Sequence, residues 1–142
     1  MSVTDPVQAY RETQIKTANQ IKLILMLYDG AIRHVNLALD LLGGGHPRFD
    51  RINGHVVAAQ DIVSELMASL DFERGGNVAR GLFSIYSYVN RRLLDGNVQK
   101  DRAPLEEARR LLGELREAWD GISSRKGLVE HTVSAGGVNI AR

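Results

Sequence analysis

Residues 21–28 read IKLILMLY, apolar at seven of eight positions. At about 100° per residue these side chains surround a helix axis and do not line one side of it. Continued to Leu42, the run separates into two seams that both step by three and four. The first holds Ile21, Ile24, Tyr28, Ala31 or Ile32, Val35, Ala38 and Leu42, the spacing of a core face. The second holds Leu23, Leu27, Gly30, His34, Leu37 and Leu41, with Met26 beside it. Lys22, Asp29, Arg33, Asn36 and Asp40 are left on a polar strip. The spacing predicts a helix over 19–42 with Asn19 as its N-cap.

Outward from this helix, glycine and proline interrupt apolar periodicity at GGGHP (43–47), ERGG (73–76) and GNVQKDRAP (96–104). Three further helices are expected, over 48–71, 77–96 and 103–123. Pro104 suits the first turn of the last, and Gly43 suits a left-handed C-cap after the first. No stretch reads as a strand. Short loops between long helices favour antiparallel neighbours, so the expected fold is all-α, an up-down-up-down four-helix bundle. One domain is expected over 1–142, with its core over about 19–123. Residues 1–15 carry little periodicity and SAGGVNIAR (134–142) is small and polar, so 1–18 read as a loose arm and 124–142 as a flexible or partly helical tail.

Composition bounds the function. The chain has 142 residues, no cysteine, 44% apolar residues, 25% charged residues and a formal net charge of +1. A chain of this length buries enough surface to hold a core without disulfides or a structural metal. The absence of cysteine excludes zinc-finger, iron–sulfur and thiol chemistry and suits a reducing compartment. No run approaches the roughly 18 apolar residues of a membrane span, and the N-terminus lacks the pattern of a signal peptide. Near-neutral charge argues against nucleic-acid or anionic-membrane binding, which depend on neutralising many phosphates.

Helix 2 draws a single seam through Ile52, Val56, Ala59, Val63, Leu66 and Leu70, and helix 4 does so through Leu105, Ala108, Leu112, Leu115, Trp119 and Ile122. Helix 3 places Val78, Leu82, Ile85, Val89 and Leu93 on its seam, with Phe83 and Leu94 well off it and Tyr88 to the other flank. The wide apolar arc of helix 1 has two readings: the helix meets two neighbours in the bundle, or it offers a groove to another chain. Gly30, in a helix interior where glycine costs roughly 1 kcal/mol relative to alanine, marks close approach of either a neighbouring side chain or a partner. Spare apolar surface on two helices, Phe83 and Leu94 included, is what a docked partner would cover.

Catalytic patterns are absent. His34, His46, His55 and His131 are scattered, none three residues after a glutamate as a di-iron bundle requires. Neither glycine cluster precedes the lysine and hydroxyl residue of a phosphate-binding loop. No cofactor, metal or catalytic residue is expected. An alternative class is a phosphotransfer bundle with His34 or His55 as acceptor, although no lysine follows His55 within a turn. Basic residues Arg74, Arg80, Arg91, Arg92, Lys100, Arg102, Arg109 and Arg110 concentrate in the second half, as a solvated face or as a contact for an acidic partner.

Tyr10, Thr17 and Ala18, then LILMLYDGAI (23–32), AQDIVSEL (59–66) with Leu70 and Asp71, Leu82, Tyr86, Val89, Asn97 and LLGELREAW (111–119) follow one another in an order that closely resembles the flagellin-specific export chaperones of the bacterial flagellum. The resemblance covers residues 10–119. It implies a cytosolic helical-bundle protein that binds the disordered C-terminal segment of flagellin, prevents premature polymerisation and assists delivery to the type III export apparatus. Flagellin, and the export gate or another export component, are the implied partners, with the chaperone a monomer or weak homodimer. The resemblance makes 10–18 a movable cover and, with the second seam, places client contacts at Tyr10, Ile15, Leu23, Met26, Leu27, Gly30, His34, Leu37, Phe83 and Leu94. Asn19 and Gln20 stand where the family commonly has a proline. Physically, a disordered client loses roughly 1 kcal/mol or more per residue on ordering, so it needs a long apolar track, not one pocket.

Overall fold

The computed structural model describes residues 6–136, with the side chains of 6–9, 11 and 19–123. All regular structure among them is helical: α1 spans Pro6–Leu42, α2 Phe49–Ala68, α3 Phe72–Gln99 and α4 Arg102–Gly136. The chain divides into two compact units, Met1–Met26 with Glu117–Arg142, and Leu27–Arg116.

The helix ends differ from the expected ones for local reasons. Asn19 caps nothing, because α1 is already helical from Pro6. Residues 6–20, PVQAYRETQIKTANQ, contain good helix formers and a proline suited to the first position, but no apolar period to betray them. Likewise α4 runs beyond 123 to Gly136. Gly43 is not left-handed: among the described glycines only Gly76 has a positive φ, and the Gly43 N–H donates to Leu39 O at 3.0 Å. The ERGG break is a kink inside α3, where Gly76 adopts φ 50° and ψ −124°. The helix itself starts earlier, at an Asp71 cap whose carboxylate accepts from the Glu73 and Arg74 N–H groups at 3.1 Å each. The last break is also shorter than expected. Lys100, in a left-handed conformation, closes α3, and Asp101 accepts from the Ala103 N–H at 3.2 Å to open α4, with Pro104 in its first turn.

In the smaller unit Ile21 is buried and Ile24 and Trp119 half-buried, whereas Leu23, Met26 and Ile122 are exposed. The larger unit, Leu27–Arg116, holds most of the core. From α1 it takes Tyr28, Ala31, Val35, Ala38 and Leu39; from α2 Ile52, Val56, Ala59, Val63 and Leu66; from α3 Ala79, Tyr86, Val89 and Leu93; and from α4 Leu105, Ala108 and Leu112. The α2 seam holds as read, except that Leu70 is half-buried beyond the helix end. In α1 the core drifts from Ala38 to Leu39 because 3.6 residues per turn do not match a strict three-four step, and Leu42 is left half-buried.

The α3 seam differs most. Val78 is 62% and Ile85 37% exposed, and their places are taken by Ala79 and Tyr86. Steps of four and three lead from Leu82 to Val89 through either Ile85 or Tyr86, and a buried partner settles which. The Tyr86 hydroxyl lies 2.5 Å from that of Tyr28, and both rings are essentially inaccessible, so each buried phenol has a hydrogen-bond partner. Gly96, expected in a turn, sits inside α3 against α4. A Cβ there would lie 2.6 Å from Leu105 Cγ, so only glycine lets the two helices approach this closely.

Candidate functional site

The second seam of α1 is partly occupied by its own neighbours. Leu27, Gly30, His34, Leu37 and Leu41 are half-buried. A Cβ at Gly30 would meet Ile62 Cδ1 of α2 at 3.3 Å, so this glycine admits a half-buried side chain of the neighbouring helix. His34 Nδ1 lies 3.0 Å from His55 Nδ1 of α2, with the rings 5.3 Å apart. Burial, then the nearby His55 and Arg33, lower the His34 pKa below its ordinary value. Leu23 and Met26 stay exposed, at 59% and 60%. The expected contacts at Tyr10 and Ile15 lie outside the residues whose side chains are described.

The apolar surface left open in the larger unit belongs mainly to α3. Phe83, Leu94 and Val98 follow one flank, next to α2, and Ile85 and Tyr88 the other, next to α4; all five are at least 37% exposed. On the α2 side, Asn97 donates to Asn53 Oδ1 at 2.7 Å and Asn90 donates to Ser64 Oγ at 3.3 Å. Exposed Val57 and Leu94 stand between these two polar rungs. Phe83 meets Phe72 edge-on, with centroids 5.9 Å apart. From Phe83 to Val98 this flank is about 22 Å long, at 1.5 Å per residue. On the α4 side lies an open groove of about 360 Å³ lined by Ser84, Ile85, Tyr88, Glu107, Arg110 and Leu111. It adjoins a depression of about 530 Å³ over Phe83, Ser84, Ser87, Tyr88 and Arg91. The Tyr88 phenol donates to Glu107 Oε1, and this bond, more than burial or the Glu107 charge, raises the tyrosine pKa.

Two of the expected contacts, Phe83 and Leu94, thus lie on the open surface of α3, while the members of the second seam from Leu27 to Leu37 face α2 or are half-buried. Ile85, Val57 and Val98 were not among the expected contacts. Val57 carried a usable signal, since it lies off the α2 seam; Val98 did not, because it fell in the expected break at 96–104, nor did Ile85, whose spacing fits the core.

Nothing in this arrangement suits catalysis. Among the described residues no group of three or more histidine or acidic side chains is placed to hold a metal ion. His34 and His55 are half-buried and turn Nδ1 toward each other, which gives a phosphoryl-accepting role no support. Among the described residues no helix is long and apolar enough to cross a membrane.

A chain of helices with an unpartnered apolar helix flank has many homes, and sequence comparison selects one. Residues 3–126 match the family described as Flagellar protein FliS. The chain belongs to the FliS family. Among the FliS relatives, the flagellar secretion chaperone of Salmonella typhimurium is 35% identical over 127 residues, covering 84% of this chain and 87% of the relative. The flagellar secretion chaperone of Bacillus subtilis is 29% identical over 119 residues, 84% of this chain and 86% of the relative. The chaperone FliSB of Pseudomonas aeruginosa is 33% identical over 113 residues, 79% and 87% respectively. These FliS proteins bear the name of secretion chaperones and not of enzymes, as the resemblance in the sequence implied.

Proposed function

We propose that this FliS-family chain is a cytosolic export chaperone for flagellin. It holds the disordered C-terminal segment of its client, prevents premature polymerisation and assists delivery to the flagellar export apparatus. The observation that carries the reading is the run of exposed apolar side chains along α3, Phe83, Leu94 and Val98 on one flank and Ile85 and Tyr88 on the other. A client without its own core needs such a track, read by anchors three and four residues apart. The track lies chiefly on α3 and not on the second seam of α1, whose members from Leu27 onward are engaged within the fold.

The bundle that presents it is up-down-up-down. In support, partners run in opposite directions along each helix pair: His34 with His55 and Gly30 with Ile62, Gln60 with Asn90 and Asn53 with Asn97, Asp29 with Arg116 and Asn36 with Arg109. The protein acts as a monomer or weak homodimer, its client filling the apolar flanks.

The test mixes the protein with full-length flagellin and with flagellin lacking its C-terminal segment, and measures heats of binding. Tight binding of the first alone is expected. Equal binding of both, or of neither, removes the assignment.

A further inference from the structure

Between its two apolar flanks α3 carries a polar crest, Arg80, Ser84, Ser87 and Arg91, whose steps of four, three and four place them on one stripe. The other described basic residues from Arg74 to Arg116 are occupied by the protein itself. Arg74 pairs with Asp71, Arg92 with Asp95 and Glu107, Arg102 with Glu106, Arg110 with Glu114 and Arg116 with Asp29. Arg109 donates to Asn36 Oδ1, Lys100 to Asn97 Oδ1 and Arg80 to Asn77 Oδ1. Among the described arginines from 74 to 116, Arg91 is the one that makes neither an ion pair nor a hydrogen bond. Asp95, one turn away on the same helix, is already held by Arg92 at 3.3 Å.

Arg91 is also placed where a ligand would meet it. It lines the open depression of about 530 Å³ together with Phe83, Ser84, Ser87 and Tyr88. Aromatic rings and small hydroxyl residues admit one apolar side chain, and the unpaired guanidinium beside it matches a carboxylate. Such a pair contributes little affinity while exposed to water, but a segment lying over it displaces that water. A basic residue at the same point would then be rejected.

We propose that α3 reads a charge as well as an apolar pattern: the segment held there presents an aspartate or glutamate to Arg91, next to an apolar side chain seated between Phe83 and Tyr88. This rests on the reading of α3 as the client track. It narrows that track to segments in which an acidic residue neighbours an apolar anchor.

Calorimetry with the C-terminal segment of flagellin tests it, using wild type, Arg91→Ala, Arg91→Glu and, as a control away from the crest, Arg48→Glu. Binding is expected to weaken about threefold for Arg91→Ala and about tenfold for Arg91→Glu in dilute buffer, with both losses shrinking in about 0.5 M salt. Arg48→Glu should bind as wild type does. Replacing the acidic residues of the segment one at a time by lysine should reveal one substitution that restores binding to Arg91→Glu. Equal affinity of wild type and Arg91→Glu in dilute buffer overturns the proposal and leaves the client reading standing, as does a loss that salt does not change. If the segment fails to bind wild type at all, the client reading itself is lost. Helical circular dichroism of each variant confirms that folding is unaffected.

Discussion

Replacing Phe83 by alanine separates surface kept for a client from surface used by the fold. The ring is 43% exposed. With about 200 Å² for a whole phenylalanine side chain, roughly 85 Å² remains to be covered by a partner, worth about 2 kcal/mol at 25 cal/mol per Å². Phe83→Ala should therefore weaken binding of the flagellin C-terminal segment by as much as 30-fold. The fold already covers the other ~115 Å² of the ring, so the cost to folding should be about 2–3 kcal/mol, the edge-on contact with Phe72 included. Leu66→Ala should behave oppositely. Leu66 is 1% exposed, so its loss leaves a cavity, lowers stability by about 2–5 kcal/mol and leaves the affinity of the folded fraction unchanged. Calorimetry gives the affinities and urea unfolding followed by circular dichroism the stabilities. If Phe83→Ala binds within twofold of wild type while remaining folded, the α3 flank is not the client track.

Three further outcomes follow from the packing. Gly96→Ala should lower stability by about 1 kcal/mol or more, because the strain of a Cβ 2.6 Å from the buried Leu105 exceeds the helix-propensity gain, whereas Gly30→Ala, 3.3 Å from the mobile end of Ile62, should be neutral or stabilising; thermal melts compare them. Asp71→Ala removes both acceptor contacts at the start of α3 and should cost about 1 kcal/mol in urea unfolding. For His34 the folded pKa lies below the unfolded value of 6.5, so the folded state takes up its proton less readily. Stability is then fully present above pH 6.5 and falls as the pH drops toward the folded pKa, by no more than about 1.4 kcal/mol per pH unit. His34→Gln should flatten that slope, and a wild-type stability that rises on acidification would contradict it.

The helical class, the break after α1 and the cores of α2 and of α4 from Leu105 to Leu112 were legible in the chain, because one-sided apolar spacing and glycine or proline punctuation are local properties; ERGG, read as a break, proved a kink inside α3. The family was legible too, through the order of motifs from Tyr10 to Trp119. The α3 core was not. Ile85 and Tyr86 both satisfy the spacing, and burial of Tyr86 follows from a hydroxyl 58 residues away on Tyr28. That choice turns Ile85 outward and helps to create the open flank.

The wide apolar arc of α1 had the same ambiguity: Ile62 and His55 of α2 stand against Gly30 and His34, which leaves the second seam half-buried from Leu27 to Leu41, with Leu23 and Met26 exposed. Charge was equally undecided along the chain, where eight basic residues from Arg74 to Arg110 look alike. Cross-helix and one-turn partners occupy most of them and leave Arg91 unpaired. Periodicity along one helix establishes that a side chain can be buried or paired. Whether it is depends on which groups the neighbouring helices bring within reach, and that separates the core of this protein from the apolar surface it leaves open.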